Sequence, residues 1–231
     1  MSILYSQMAN YCCNSRYHAL QNGTNAFLEL YWYSASLGDY AVAGLSVHTY
    51  FTFVGSGLGM VGCDRYKSCG ICAESRLLPY PSYYLAVLHK RLVDTNVLSV
   101  TGASGDHEPL VFAHCARKSR VTGGVTLMFV NPSLHPVKLD VNIDNNINDS
   151  SSLGSFEQYT LTPPQGNVNS SSVLLNGQLL ALTSNDTLPL VSPAVHAAAD
   201  AVLVPASSVG FVVFPHAHVR ACTKTPVNSV E

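Results

Sequence analysis

Val173-Leu174-Leu175-Asn176-Gly177-Gln178-Leu179-Leu180 sets an Asn-Gly pair between two apolar runs. Asn and Gly tolerate positive φ, which a two-residue hairpin turn demands of both its central residues. The stretch therefore predicts a hairpin joining strands Ser172–Leu175 and Gln178–Leu182. Working outward, short runs rich in β-branched and aromatic residues recur on both sides: Leu110–Cys115, Val125–Val130, Val137–Ile143, Phe156–Thr162, Ser208–Phe214 and Val219–Cys222. Gly123-Gly124, Asn131-Pro132 and Pro163-Pro164 supply turns between them. Eight short strands with such punctuation predict an antiparallel β-sandwich over residues 99–231.

Residues 1–98 have a different character. Asn25 reads as the N-cap of a helix over Ala26–Ser36 that ends at Gly38. Ala41–Val54 reads as a buried strand, and Gly55–Tyr80 as a loop rich in Cys and Gly. A second helix, Ser82–Val93, opens at Pro81 and places Tyr84, Leu85, Leu88 and Leu92 on one face. Alternation of strand and helix suits a parallel α/β sheet or barrel. The expected class is mixed, a sandwich preceded by an incomplete α/β segment.

Composition narrows the function. Charged residues make up 11% of the 231 residues, against about 25% in ordinary domains. With 12 Lys+Arg against 14 Asp+Glu, the chain has no basic excess with which to attract nucleic acid. Its 47% hydrophobic content and low charge exclude a disordered chain. Tyr40–Cys63 carries no formal charge and is long enough to span a bilayer, but it holds five glycines and His48. It reads as a buried strand and Gly-rich loop rather than a transmembrane helix. Met1–Asn10 has neither a basic residue nor a long apolar core and is no signal peptide. The sequons at Asn22, Asn148, Asn169 and Asn185 nevertheless point to an exported, glycosylated surface. An exported form would then start upstream of Met1.

The chemical motifs are sparse. Cysteines occur at 12, 13, 63, 69, 72, 115 and 222, an odd number that leaves at least one thiol unpaired. Cys69-Gly70-Ile71-Cys72 has no second C-x-x-C with which to complete a zinc site, and it lies in a loop rather than at a helix start. A loop disulfide, or no bond, is the better reading. Gly55-Ser56-Gly57-Leu58-Gly59 lacks the Lys-Ser/Thr of a phosphate loop, and Gly102-Ala103-Ser104-Gly105 misses a nucleophile elbow by one position. His216 and His218 share a strand face without a third metal ligand. Arg117, Lys118 and Arg120 fall in a turn between strands, as a solvated cluster. Glycoside hydrolysis needs two carboxyls about 5–10 Å apart. The acids of the first half are Glu29, Asp39, Asp64, Glu74, Asp94, Asp106 and Glu108. Glu29 reads as mid-helix and Asp39 as following a helix end, so no pair is assigned. No catalytic residue, cofactor or metal is expected.

Several stretches together resemble one family. Leu78-Pro79-Tyr80-Pro81-Ser82-Tyr83-Tyr84, Leu88-His89-Lys90-Arg91-Leu92-Val93 and Val111-Phe112-Ala113-His114-Cys115 are similar to heparanase and the plant heparanase-like β-glucuronidases. So are Glu157-Gln158-Tyr159-Thr160-Leu161-Thr162-Pro163, Val173–Gly177, and Ser208–Pro215 with Ala221-Cys222. The resemblance runs in order over residues 78–222 and more loosely through Tyr31-Trp32-Tyr33. It implies a (β/α)8 barrel followed by a sandwich, retaining glucuronidase activity on a glucuronide or a glucuronic-acid-containing glycan, and a secreted, lysosomal or vacuolar location. It also implies a disulfide between Cys115 and Cys222. Residues 1–98 then correspond to a barrel remnant of about two strands, too few to close.

The resemblance does not carry the family's catalytic groups onto this chain. The segment matching the nucleophile falls near Gln7-Met8, and residues 1–28 contain no acid. An Arg-Gln pair of the family is replaced by Tyr50-Phe51, and a sugar-contacting Tyr by Leu58 or a neighbour. The expected outcome is a glycosidase-like portion without turnover of its own. The alternative is a non-catalytic glycan-binding or scaffold module.

Overall fold

Pro81 opens the best-formed helix because a residue without an N–H loses nothing at a first helical position. The computed structural model describes residues 25–50, 53–54, 59–63, 77–102, 108–118, 120–144 and 154–223. Within them the chain is mostly strand, with few helices. Helix α1 spans Glu29–Val42 and α2 spans Pro81–Leu92. A small hairpin, β1 (Val61–Cys63) and β2 (Leu77–Pro79), precedes α2. The strands that follow are β3 (Val93–Leu98), β4 (Leu110–Ala116), β5 (Val125–Asn131), β6 (Val137–Leu139), β7 (Phe156–Thr162), β8 (Leu174–Leu175) and β9 (Gln178–Leu179). The chain continues through β10 (Ala194–His196), β11 (Val202–Val204), β12 (Ser208–Phe214) and the single helical turn α3 (Arg220–Thr223).

Eight strands form one antiparallel sheet in the order β3-β4-β5-β12-β7-β8-β9, with β10 also paired to β7. The central β5 and β12 are buried at every position, which explains their unbroken apolar runs. Alternation along each strand then splits the core in two. Phe112, Met128, Leu161 and Phe211 pack under α1 and α2 with Leu30, Leu85 and Leu88. Cys115, Phe129, Val212 and Phe214 pack on the opposite side against Val202 and Val204. Each such side chain is worth roughly 1.5–3 kcal/mol when fully buried. The layers are therefore two helices, a broad sheet, and the two-stranded β6–β11 sheet. Seven of the eight antiparallel strands expected after residue 99 are present, some of them shorter than expected, and among the described residues the second sheet is this pair alone. The main sheet begins earlier, at Val93, because β3 pairs with β4.

Four local expectations need correction. Helix α1 runs past Gly38, which faces the Phe112 ring so closely that a Cβ would stand 2.3 Å from its Cγ. Glycine at this position is a close-packing device and not a stop. Asn25 takes φ 65° and makes no side-chain cap; instead, its backbone N–H donates to Glu29. Of the strand expected over Ala41–Val54 none forms among the described residues: the helix takes its start, and residues 43–50 leave the helix without joining a sheet. Val54 makes an isolated bridge to Val61. Val219–Cys222 is not a strand either. His218 turns the chain at φ 52°, and Arg220–Thr223 winds into α3.

The Asn176-Gly177 hairpin forms, with strands of two residues each, shorter than Ser172–Leu175 and Gln178–Leu182. Asn176 and Gly177 take φ 48° and 81°, and Leu174 faces Leu179. No described helix is long and apolar enough to cross a membrane.

Candidate functional site

The strongest concentration of polar groups in the helical layer surrounds Glu29. Two backbone bonds bring it there: Phe27 N–H donates to Ser170 O at 2.8 Å and Leu28 N–H to Val168 O at 2.8 Å. These dock the entry of α1 on the loop after β7. Glu29 then lies in the first helical turn, where a carboxylate meets the positive end of the helix dipole. One carboxyl oxygen accepts from the Asn25 backbone N–H at 3.2 Å. The other accepts from the Tyr50 hydroxyl. The Ser82 hydroxyl at the start of α2 stands near enough to favour the charged form, without closing a well-formed hydrogen bond.

Burial dominates the electrostatics here. It raises the Glu29 pKa above the ordinary carboxylate value, and the Tyr50, Asn25 and Ser82 contacts oppose it only in part. Tyr33 is pushed up to about 12, first by burial and then by the Glu29 charge. Tyr50 is raised for the same two reasons in the same order. The Tyr33 and Tyr50 rings meet edge-on at 4.9 Å. His48 lies 5.1 Å from Tyr40 and 5.9 Å from Tyr33 between ring centroids, and burial lowers its pKa.

This cluster orients one carboxyl among phenols and a neutral imidazole. It ties α1, the segment at Tyr50 and the start of α2 together. Among the described residues no second carboxylate is found among the groups that perturb Glu29, so the cluster is not the paired acid and base that glycoside hydrolysis requires. The sequence reading placed Glu29 mid-helix and missed its role. No standard spacing marks it: Glu29 reaches back four residues to the Asn25 N–H, one more than a capping box spans.

The other sequence candidates separate. Cys115 and Cys222 are bonded, with S–S 2.04 Å and Cα atoms 5.2 Å apart, tying the end of β4 to α3. Asn169 and Asn185 lie exposed in loops. Asn22, Asn148, Cys12, Cys13, Cys69, Cys72 and Gly55–Leu58 fall outside the described residues. His216 and His218 have ring centroids 6.5 Å apart, and no group of three metal-ligating side chains occurs among the described residues. Arg120 does not stand alone in solvent. It pairs with Glu157 and lies 5.6 Å from the centre of the Tyr159 ring.

No family model matches the chain. Baicalin-beta-D-glucuronidase from Scutellaria baicalensis is 32% identical over 171 residues, covering 74% of this chain and 28% of that protein. This chain is a sequence relative of the heparanase family. Heparanase from Gallus gallus is 33% identical over 62% of the chain and 27% of its own length. Inactive heparanase-2 from Homo sapiens is 28% identical over 80% of the chain and 33% of its own length. The chain thus spans about a third or less of these heparanase relatives. Among solved structures, a GH30 endoxylanase from Clostridium papyrosolvens C71 aligns with 83% of this chain and 39% of its own, at TM-score 0.47 and 13% identity. That likeness is too low to bear on function.

Proposed function

We propose that this chain is the sheet-bearing portion of a heparanase-like glycosidase, supporting the shape of such an enzyme without turning over substrate itself. The substrate class of the complete protein is a β-glucuronide, free or within a glucuronic-acid-containing glycan. On this reading the partial barrel ends at Leu92 and the sandwich domain starts at Val93, where β3 joins the main sheet, rather than at residue 99. Cys115–Cys222 holds the sandwich closed, and Asn169 and Asn185 carry glycans in a secreted or lysosomal protein.

The observation that carries the reading is a half-buried carboxyl with no second carboxylate beside it among the described residues. Glu29 has one oxygen committed to Tyr50 and the other to the Asn25 backbone. A general acid must present its proton to a leaving oxygen and work with a second carboxylate across the scissile bond. Glu29 spends its hydrogen bonds tying the Tyr50 segment to the entry of its own helix. The sequence also contains no acid before Glu29.

The test is direct. Purified 1–231 is incubated with a chromogenic β-D-glucuronide and with heparan sulfate, alongside the Glu29→Gln variant. The expected result is no product above the buffer control. Product release by the wild type that disappears in Glu29→Gln would overturn the proposal. Binding to a glycan array without hydrolysis would instead establish the glycan-binding module as the chain's own activity.

A further inference from the structure

His89 and His114 meet where helix α2 crosses the sheet. Along β4, Phe112 and Ala116 face the helical layer while Ala113 and Cys115 face away. Alternation therefore aims His114 at the helices. His114 is only 3% exposed, and neither ring nitrogen has a well-formed hydrogen-bond partner. The His89 ring sits above it, 6.4 Å between centroids and nearly perpendicular. On the other side His89 meets Phe211 of β12 at 6.3 Å. Leu85, Leu88 and Leu92 of the same helix are buried around the contact.

We propose that His89 and His114 form an acid-sensitive latch that holds α2 on the sheet while both rings are neutral and releases it when the pair takes up a proton. The reason is solvation. An imidazolium in this contact has apolar neighbours and a second imidazole, and among the described residues no carboxylate pairs with either ring. Burial and the two neighbouring histidines, His114 and His48, hold His89 down to about pKa 4. Burial also lowers His114, with a partial opposing effect from the Asp94 backbone.

The groups around the pair reinforce the same sign. His48 approaches from the segment after α1, with both ring nitrogens also unpartnered. Lys90 and Arg91 on α2 itself are exposed. Asp94 on β3 has its carboxylate bonded to Thr95 and to the Lys118 backbone N–H. Glu29 connects to the group only through Tyr33, whose ring lies 5.9 Å from that of His48.

The direction follows from the lowered pKa. The unfolded chain takes its proton near 6.5, whereas the folded pair resists it, so stability is complete above about pH 6.5 and is lost as pH falls toward 4. For His89 alone the unfolding equilibrium constant rises about a hundredfold across that window.

The experiment uses the whole chain, following urea unfolding and the fluorescence of its single tryptophan, Trp32, between pH 7 and 4. Wild type, His89→Gln, His114→Leu and Glu29→Gln are compared, with wild-type histidine titration followed by NMR. The latch requires that wild type lose about two orders of magnitude in folding equilibrium, and that His89→Gln and His114→Leu lose markedly less. Glu29→Gln should keep the acid loss and somewhat enlarge it, because the raised Glu29 pKa favours the folded state at low pH and the variant lacks that offset. In the NMR titration His89 should stay neutral to well below pH 6. A wild-type His89 that titrates near 6.5 would overturn the latch, even if neither histidine variant folds. An acid loss abolished by Glu29→Gln would do the same.

Discussion

Replacing Cys115 and Cys222 together by alanine removes the covalent tie between the end of β4 and α3. The bridge spans 107 residues of sequence. Closing a loop of that size restricts the unfolded chain by roughly 4–5 kcal/mol at 25 °C if the effect is entropic. Both cysteines are buried in the core behind the sheet with Ala217 and Val219, so the native state loses packing as well as restraint. What then holds α3 is modest. Val219 N–H donates to Gly123 O at 2.9 Å, and the Asn96 side-chain amide donates to Ala221 O at 3.3 Å.

The assay is urea unfolding without reductant, with the bridge verified in the wild type by mass spectrometry. The double variant should lose about 4–5 kcal/mol and show a larger m-value, because its unfolded state exposes more surface. In thermal melts that corresponds to a fall of about 10–20 °C for a chain of this size. Reduced wild type should resemble the variant. A difference below about 1 kcal/mol would refute the reasoning. It would mean that the unfolded chain is already restricted in this region, or that α3 adds little to the cooperative unit.

Three further outcomes follow from the geometry. Gly210→Ala puts a Cβ 2.3 Å from the Tyr159 carbonyl oxygen and 2.6 Å from Phe129 Cζ. With β12 paired on both sides the backbone has little room to yield, so a loss of about 1–3 kcal/mol is expected in the urea midpoint; an unchanged midpoint would show that the strands can part. Asn176 Oδ1 accepts from Thr160 N–H at 2.9 Å and its Nδ2 donates to Gln158 O at 3.0 Å. Asn176→Gly keeps the turn's φ but loses these bonds, so a loss of about 1–2 kcal/mol is expected; full stability in Asn176→Gly would assign the residue to the turn alone. The raised Glu29 pKa favours the folded state below about pH 4.5, and that contribution is lost as pH rises through the folded value. Glu29→Gln should therefore gain on wild type at pH 8 relative to pH 5, and parallel stability profiles would contradict this.

The local rules held wherever one or two residues set the conformation by themselves. Asn176-Gly177 makes its turn because both residues accept positive φ, and Pro81 starts α2 because it lacks an N–H. The apolar runs at Val125–Val130 and Ser208–Phe214 become central strands because both faces of the sheet are covered. Reading failed where a distant partner decides. Gly38 looked like a helix stop until Phe112 was found packed against it. Ala41–Val54 has strand-forming residues but joins no sheet among the described residues, and its His48 and Tyr50 join the rings around Tyr33.

The functional residues divide along the same line. Sequence by itself determined the antiparallel class, the absence of acids before Glu29, and the resemblance that implied Cys115–Cys222. Those properties belong to composition, to turn chemistry or to a matched string. Only tertiary structure decided that Glu29 is a half-buried clasp bonded to Tyr50, and that His89 lies over His114. Burial and contact between residues 21 or 25 positions apart are properties of packing, and no local periodicity encodes them.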